Sequence, residues 1–251
     1  MAQGILVDYQ LTQQLNELLD GYRIEFSRGR TTRDLIPKIT DVLKKKFNTQ
    51  LTEDLKIDWY DNKLLIRSLS DNLDKWCEAR GYQQTKEITD FNFTKPTQDA
   101  SDRFFENMKL KYNENWLNTE LKTTKANINS INNWETYPSD SYLKYVTAFD
   151  GHVRDEHFAL EGLIMKKTDP RWSYCYPPIP ANPYNCRCRV VPVYDVIPST
   201  DVATRVEQMS KATKISVEDI KASQHPIFSG KMFDEKTSHF KGTPQWVYKK
   251  I

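Results

Sequence analysis

Glycine is scarce in this chain, eight in 251 residues, and none of them builds a glycine-rich phosphate cradle or a nucleophile elbow. The metalloprotease pattern His-Glu-x-x-His is also missing. Excess charge of one sign is absent, with 36 basic against 34 acidic side chains. Such a balance lacks the net attraction to phosphate backbones that a dedicated nucleic-acid binder carries. No run approaches the eighteen or more consecutive apolar residues of a membrane span, and mean hydropathy is −0.71. The start, Met1 to Asp8, has neither the basic flank nor the apolar length of a signal peptide, so no leader and no membrane contact are expected. Cysteine is sparse too. A chain of this length can bury a core without disulfides or metal, so the four cysteines are not needed for stability.

Helical spacing dominates the first half. Leu11, Leu15, Leu18, Leu19 and Tyr22 follow Asp8, an N-cap candidate. A second helix is predicted from near Thr32, with Pro37 in its first turn and Ile36, Ile39, Leu43 and Phe47 on one face. Lys44, Lys45 and Lys46 are read as cations at the end of that helix, favoured by its dipole, with a phosphate site as the other reading. A third helix carries Leu65, Leu69, Leu73 and Trp76 and is expected to stop before Gly81. The alternation around Phe91 and Phe93, closed by Pro96, reads as a short extended linker. Two further helices are expected, one from about Asp99 to Tyr112 and one from Leu117 to Trp134.

After Pro138 the pattern changes. Residues 142–147 and 189–194 read as strands and 155–163 as a short helix, while four prolines between Pro177 and Pro183 forbid regular structure. The tail beyond Val196 shows one short helix capped by Ser216, with Asp219 at its third position. Phe228, Phe233, Phe240 and Trp246 are spaced along the rest, and packing back on the domain is the expected use.

Three of the four cysteines and two of the four histidines fall between Tyr145 and Val193. Cys186, Cys188, His157 and Asp150 form an acceptable tetrahedral donor set for zinc, which takes sulfur, nitrogen and oxygen alike. Cys-x-Cys is shorter than the usual spacing, and in a regular strand the two sulfurs would face opposite sides, so both reach one ion only if the loop kinks. Buried unmetallated thiols are the plainer reading, with a Cys175–Cys186 disulfide conceivable outside a reducing compartment. His157 acting as base toward Cys186, with Asp150 orienting the ring, is the enzymatic one. Asp150 and Arg154 also suit a turn and an ion pair ahead of the His157 helix.

In order along the chain, Thr147, Asp150, Val153, Arg154, His157, Leu160, Gly162, Pro177, Pro178, Asn185, Cys186, Arg187 and Cys188 form a pattern. It resembles the signature of the Mu F-like, or SPP1 minor-head-protein-like, head morphogenesis proteins of tailed bacteriophages. Trp116, Leu117, Thr119 and Glu120 are similar to that family's helical approach, so the likeness covers about residues 113–195. Relatives often carry a histidine shortly before Asn-Cys-Arg-Cys, where this chain has Asn182, Pro183 and Tyr184.

The resemblance implies a minor capsid protein, located in the virion inside the capsid near the portal and in the host bacterial cytoplasm during assembly. It implies the portal protein as partner, with scaffold protein and phage DNA as further candidates, and roles in packaging or ejection. Arg154, Asn185 and Arg187 are carried over as structural members of the motif. The expected fold is α+β, a helical N-terminal region followed by a compact domain with a small β-sheet. The expected division is a helical region at 1–95, the head-morphogenesis domain with its lead-in at 96–195, and an extension at 196–251. Zinc is the one cofactor the donor set suggests, and catalysis is not expected. The alternative is a metal- or thiol-dependent hydrolase built on Asp150, His157, Cys186 and Cys188. A nucleic-acid accessory role would use Lys44 to Lys46, Lys109, Lys111, Lys122 and Lys125 as a stripe.

Overall fold

The fold is α+β, with helices first and a three-stranded antiparallel sheet later in the chain. The computed structural model describes residues 8–28, 34–234, 240 and 242–248; Thr32 and the side chain of Trp246 lie outside these. Among the described residues no helix is long and apolar enough to cross a membrane. Two compact units are present: residues 1–50, 70–121 and 235–251 in one, 51–69 and 122–234 in the other. Residues 96–121, which fall within the domain expected at 96–195, group with the first unit.

In the first unit, α1 (Tyr9–Ser27) begins where the Asp8 carboxylate accepts the Leu11 N–H at 3.1 Å. Its stripe buries Leu11, Leu15 and Leu19, as helical periodicity requires. The second helix, α2 (Leu35–Asp54), buries Ile39, Leu43 and Phe47. Lys44 to Lys46 therefore lie inside α2, eight residues or more before its end, which corrects the helix-terminus reading. Lys44 bonds Glu78 at 2.6 Å and Lys46 pairs with Asp8.

The third helix, α3 (Lys63–Phe93), runs through Gly81 and on through the segment read as an extended linker. Gly81 is not a cap. A Cβ there would meet the Thr40 hydroxyl at 2.7 Å and the Ile36 carbonyl at 3.3 Å. The glycine thus permits close approach of α2 and α3 and stays helical at about 1 kcal/mol of propensity cost.

Next comes α4 (Gln98–Met108), capped by Thr97, whose hydroxyl accepts the Ala100 N–H at 3.3 Å. It continues into a π-helical segment, Lys109–Trp116, and then α5 (Leu117–Thr136). A π turn leaves carbonyls outside the ordinary i to i+4 ladder. Fully buried Arg80 donates to the Tyr112 carbonyl at 2.6 Å and also bonds Glu120 and Gln84. The Thr12 hydroxyl donates to the Asn113 carbonyl at 3.2 Å.

In the second unit, β1 (Tyr142–Val146) is central. It is followed by α6 (Asp155–Phe158), β2 (Ile164–Lys166), α7 (Trp172–Cys175) and β3 (Arg189–Val193), giving the order β2-β1-β3. Leu143 stands opposite Met165 on one side and Pro192 on the other, and Tyr145 opposite Val190. The alternation buries Leu143, Tyr145, Met165 and Val190 on one face against Trp172 and Tyr176. The helix expected over 155–163 ends at Phe158, and β2, three residues long, was too short for the sequence pattern to show. The proline-rich loop is buried from Tyr176 to Pro180 and contains a cis Pro177–Pro178 bond.

The tail holds more helix than expected: α8 (Val202–Thr213), α9 (Val217–Ala222), α10 (Pro226–Ser229) and α11 (Gln245–Tyr248). Ser216 caps α9 as predicted, accepting the Asp219 N–H at 3.1 Å. Phe233 and Phe240 are buried, and Phe228 packs edge-on against Trp134. His225 caps α10, its Nδ1 accepting the Ile227 N–H at 3.2 Å and its Nε2 lying 2.8 Å from the Ser130 hydroxyl.

Gly81→Ala is expected to lower the unfolding free energy by about 1–3 kcal/mol, because the added methyl is pressed against the Thr40 hydroxyl, with the Ile36 carbonyl next to it. Urea denaturation checks it, and a variant as stable as the parent refutes the close-approach reading. A second expectation concerns acid. Burial pushes the His225 imidazole down to about 3, below the value near 6.5 of an unfolded chain. Above pH 6.5 neither state binds the proton; below it the unfolded state does and the folded state refuses. Stability should therefore fall by about 1.4 kcal/mol per pH unit between roughly pH 6.5 and 3. His225→Asn keeps a capping oxygen but cannot titrate, so its stability profile should be shallower than wild type across that window; parallel profiles would exclude the assignment.

Candidate metal centre and its clamp

The site is built where the loop ahead of β3 folds back on α6. Asn185 adopts a left-handed backbone, φ 54°, immediately before Cys186. Residues 186–188 are irregular rather than strand, with β3 starting only at Arg189. The kink supplies what the short Cys-x-Cys spacing requires. Both sulfurs turn to the same imidazole, Cys186 Sγ and Cys188 Sγ each 3.4 Å from His157 Nδ1. His157 is almost fully buried, Cys186 is buried and Cys188 is half-buried.

Arg154 holds the other side of the ring. Its guanidinium donates to the Asn182 carbonyl at 2.8 Å and side-chain oxygen at 3.2 Å, lies 2.7 Å from His157 Nε2, and pairs with Glu156 at 3.1 Å. Asn182 in turn donates to Glu156 at 2.9 Å. The clamp ties the proline-rich loop to the start of α6. Nothing in the sequence marked Glu156, and Asn182 stood out only as a departure from the family pattern. Asn182 sits between prolines with no periodicity to mark it, and Glu156 reads as an ordinary first-turn acid.

Asp150 is not among the residues gathered at the imidazole. It forms a two-pronged ion pair with Arg187, with one bond at 2.8 Å, and accepts the His152 N–H at 3.0 Å in a turn. Arg187 thus points outward between two cysteines that point inward. Among the described residues the three atoms of His157, Cys186 and Cys188, all within 4.8 Å of one another, form the cluster able to hold a metal. They open on a shallow recess of about 230 Å³, partly open to solvent, whose walls include Ala148, His152, Val153, Arg154, Asn185 and Arg187. Cys175 and Cys77 are separate buried thiols, and all four cysteines are free.

Two adjacent thiols share their ionisation. Cys188 is held well below the ordinary thiol range, first by its hydrogen bond with Cys186 and then by His157 and Tyr145. Cys186 is pushed up by the same contact with Cys188 and by burial. Burial above all, with the two thiols beside it, pushes the Tyr145 hydroxyl up. Of the lysines considered as a nucleic-acid stripe, Lys109 pairs with Asp20 and Glu106, and Lys111 with Glu87. With Lys44 and Lys46 also paired, four of the seven lysines of that stripe have an acidic partner.

The family model for phage Mu protein F like protein matches residues 20–191. The chain belongs to this phage Mu F-like family. Two curated relatives bear on it. The "Mu-like prophage FluMu F protein" of Haemophilus influenzae is 41% identical over 56 residues, 22% of this chain and 13% of its own length. The "Putative capsid assembly protein F" of Escherichia phage Mu is 40% identical over 60 residues, 24% of this chain and 12% of its own. The chain therefore spans only about an eighth of the length of these relatives. No solved structure matches this Mu F-like chain.

Arg154→Met is expected to cost about 2–4 kcal/mol, since it leaves buried Glu156 without its cation and Asn182 without a donor. Arg154→Lys should recover little, because one ammonium cannot reproduce the forked contacts. Chemical denaturation of both variants checks this; full rescue by lysine would show that charge alone matters there.

Proposed function

We propose that this Mu F-like chain acts in assembly of the head of a tailed bacteriophage or prophage, as a minor capsid protein that docks on the portal from the capsid interior. The match to the family across residues 20–191 carries the reading. The name of the phage Mu relative, a putative capsid assembly protein, is consistent with it. The near-neutral charge and the paired lysines favour a protein partner over a phosphate backbone. Phe149, Phe158, Tyr194 and Ile197, all in the second unit, expose much of their apolar surface, as side chains at protein interfaces do. Scaffold protein and packaged DNA are secondary partners in this reading.

Co-expression with the portal protein of the same phage tests it. The chain is expected to co-purify with portal rings or procapsids, and deletion of its gene should lower the yield of infectious heads. Absence from both, together with normal heads after deletion, overturns the proposal.

A further inference from the structure

The distances at His157 are those of an ion's ligand shell. With Zn–S near 2.3 Å and Zn–N near 2.0–2.1 Å, the N···S edge of a tetrahedral zinc site is about 3.6 Å. The two N···S distances here are both 3.4 Å. We propose that His157 Nδ1, Cys186 Sγ and Cys188 Sγ bind one zinc ion, with the fourth position facing the recess and left to solvent.

Two observations besides the distances support it. The Asn182 carbonyl lies 3.3 Å from Nε2, so the ring can donate its second N–H there while Nδ1 binds the metal, the usual outer-shell arrangement. In that state the guanidinium and Nε2–H would be two donors at the present 2.7 Å, so Arg154 has to draw back from the ring while keeping its bonds to the Asn182 carbonyl and Glu156. The charges also close: two thiolates neutralise Zn²⁺, and Arg154 neutralises Glu156. A neutral cluster of this kind tolerates burial, whereas two bare thiolates side by side would not.

Asp150 is not a ligand in this assignment, because Arg187 occupies both of its oxygens. The ion links α6 to the loop entering β3, two segments that are otherwise joined through Arg154 and Asn182. Binding would release the thiol protons and stabilise the second unit.

The test uses the full chain, produced in zinc-supplemented medium and purified under reducing conditions without chelator. Plasma mass spectrometry should find about one zinc per chain, and replacement by Co²⁺ should give thiolate-to-cobalt charge-transfer absorption with tetrahedral ligand-field bands. Competition against a chromophoric chelator should show His157→Ala and Cys188→Ser each weakening zinc binding by more than about tenfold, with Asp150→Asn near wild type. Under about a tenth of an equivalent of zinc in the wild-type chain, with no charge-transfer band on adding Co²⁺, overturns the assignment. Loss of metal by Asp150→Asn as complete as by Cys188→Ser overturns the ligand set. The wild-type measurements decide the first point even where a variant does not fold.

Discussion

One guanidinium holds the second unit's chemistry in place. Arg154 reaches the carbonyl and the side chain of Asn182, the edge of His157 and the carboxylate of Glu156. The imidazole cannot rotate freely while these bonds persist, so Nδ1 stays turned toward Cys186 and Cys188. Without the clamp the proline-rich loop would lose its polar tie to α6, and the sulfurs downstream of Asn185 would lose their fixed partner. The short helix and the loop gain little from hydrophobic burial of their own polar edges, which makes these directed contacts decisive.

The first unit depends on a comparable polar anchor of a different kind. Arg80 is fully buried, and it completes the hydrogen bonding of a helix that widens into a π segment. Its guanidinium also lies over the Tyr112 ring, 4.3 Å from the centroid. Glu120 supplies the compensating charge at 3.2 Å. An irregular helix and a buried ion pair explain each other here: the Tyr112 carbonyl accepts the Leu117 N–H across the wide turn and, with its second lone pair, the Arg80 guanidinium, which gives the cation a reason to be inside.

Much of this was legible in the residues. Helical periodicity found α1, α2, the first part of α3 and α5, and the Thr-Asp-Arg-His-Cys pattern identified both the family and the residues that meet at the imidazole. The failures have physical causes. Gly81 looked like a stop because local propensity cannot register that α2 passes within contact distance of it. Phe91 and Phe93 alternate like a strand, yet helix continuity carries them, with Phe91 stacked on Phe104 at 3.8 Å. The π segment shifts the phase of the apolar stripe between Met108 and Leu117, so one continuous helical stretch read as two. Asp150 was grouped with the cysteines by nearness in sequence, whereas Arg187, alternating outward between them, claims it. Asn182 stood out only as a residue near the place where relatives often carry a histidine, since its role as a partner exists only once Arg154 has folded onto it.

The small sheet has a property that bears on how the protein meets its neighbours. Tyr145 exchanges bonds with Gly162 and Leu163 on the β2 side, so by antiparallel alternation Leu143 and Pro192 form a non-bonded pair and the nitrogen of Pro192 faces outward. The free margin of β3 therefore lacks a donor in its middle, and the opposite margin, β2, offers only three residues. Neither border is a good template for an incoming extended chain. Contacts with any other chain would have to be made by helices, turns and protruding aromatics, because pairing of strands edge to edge has little to start from on either border.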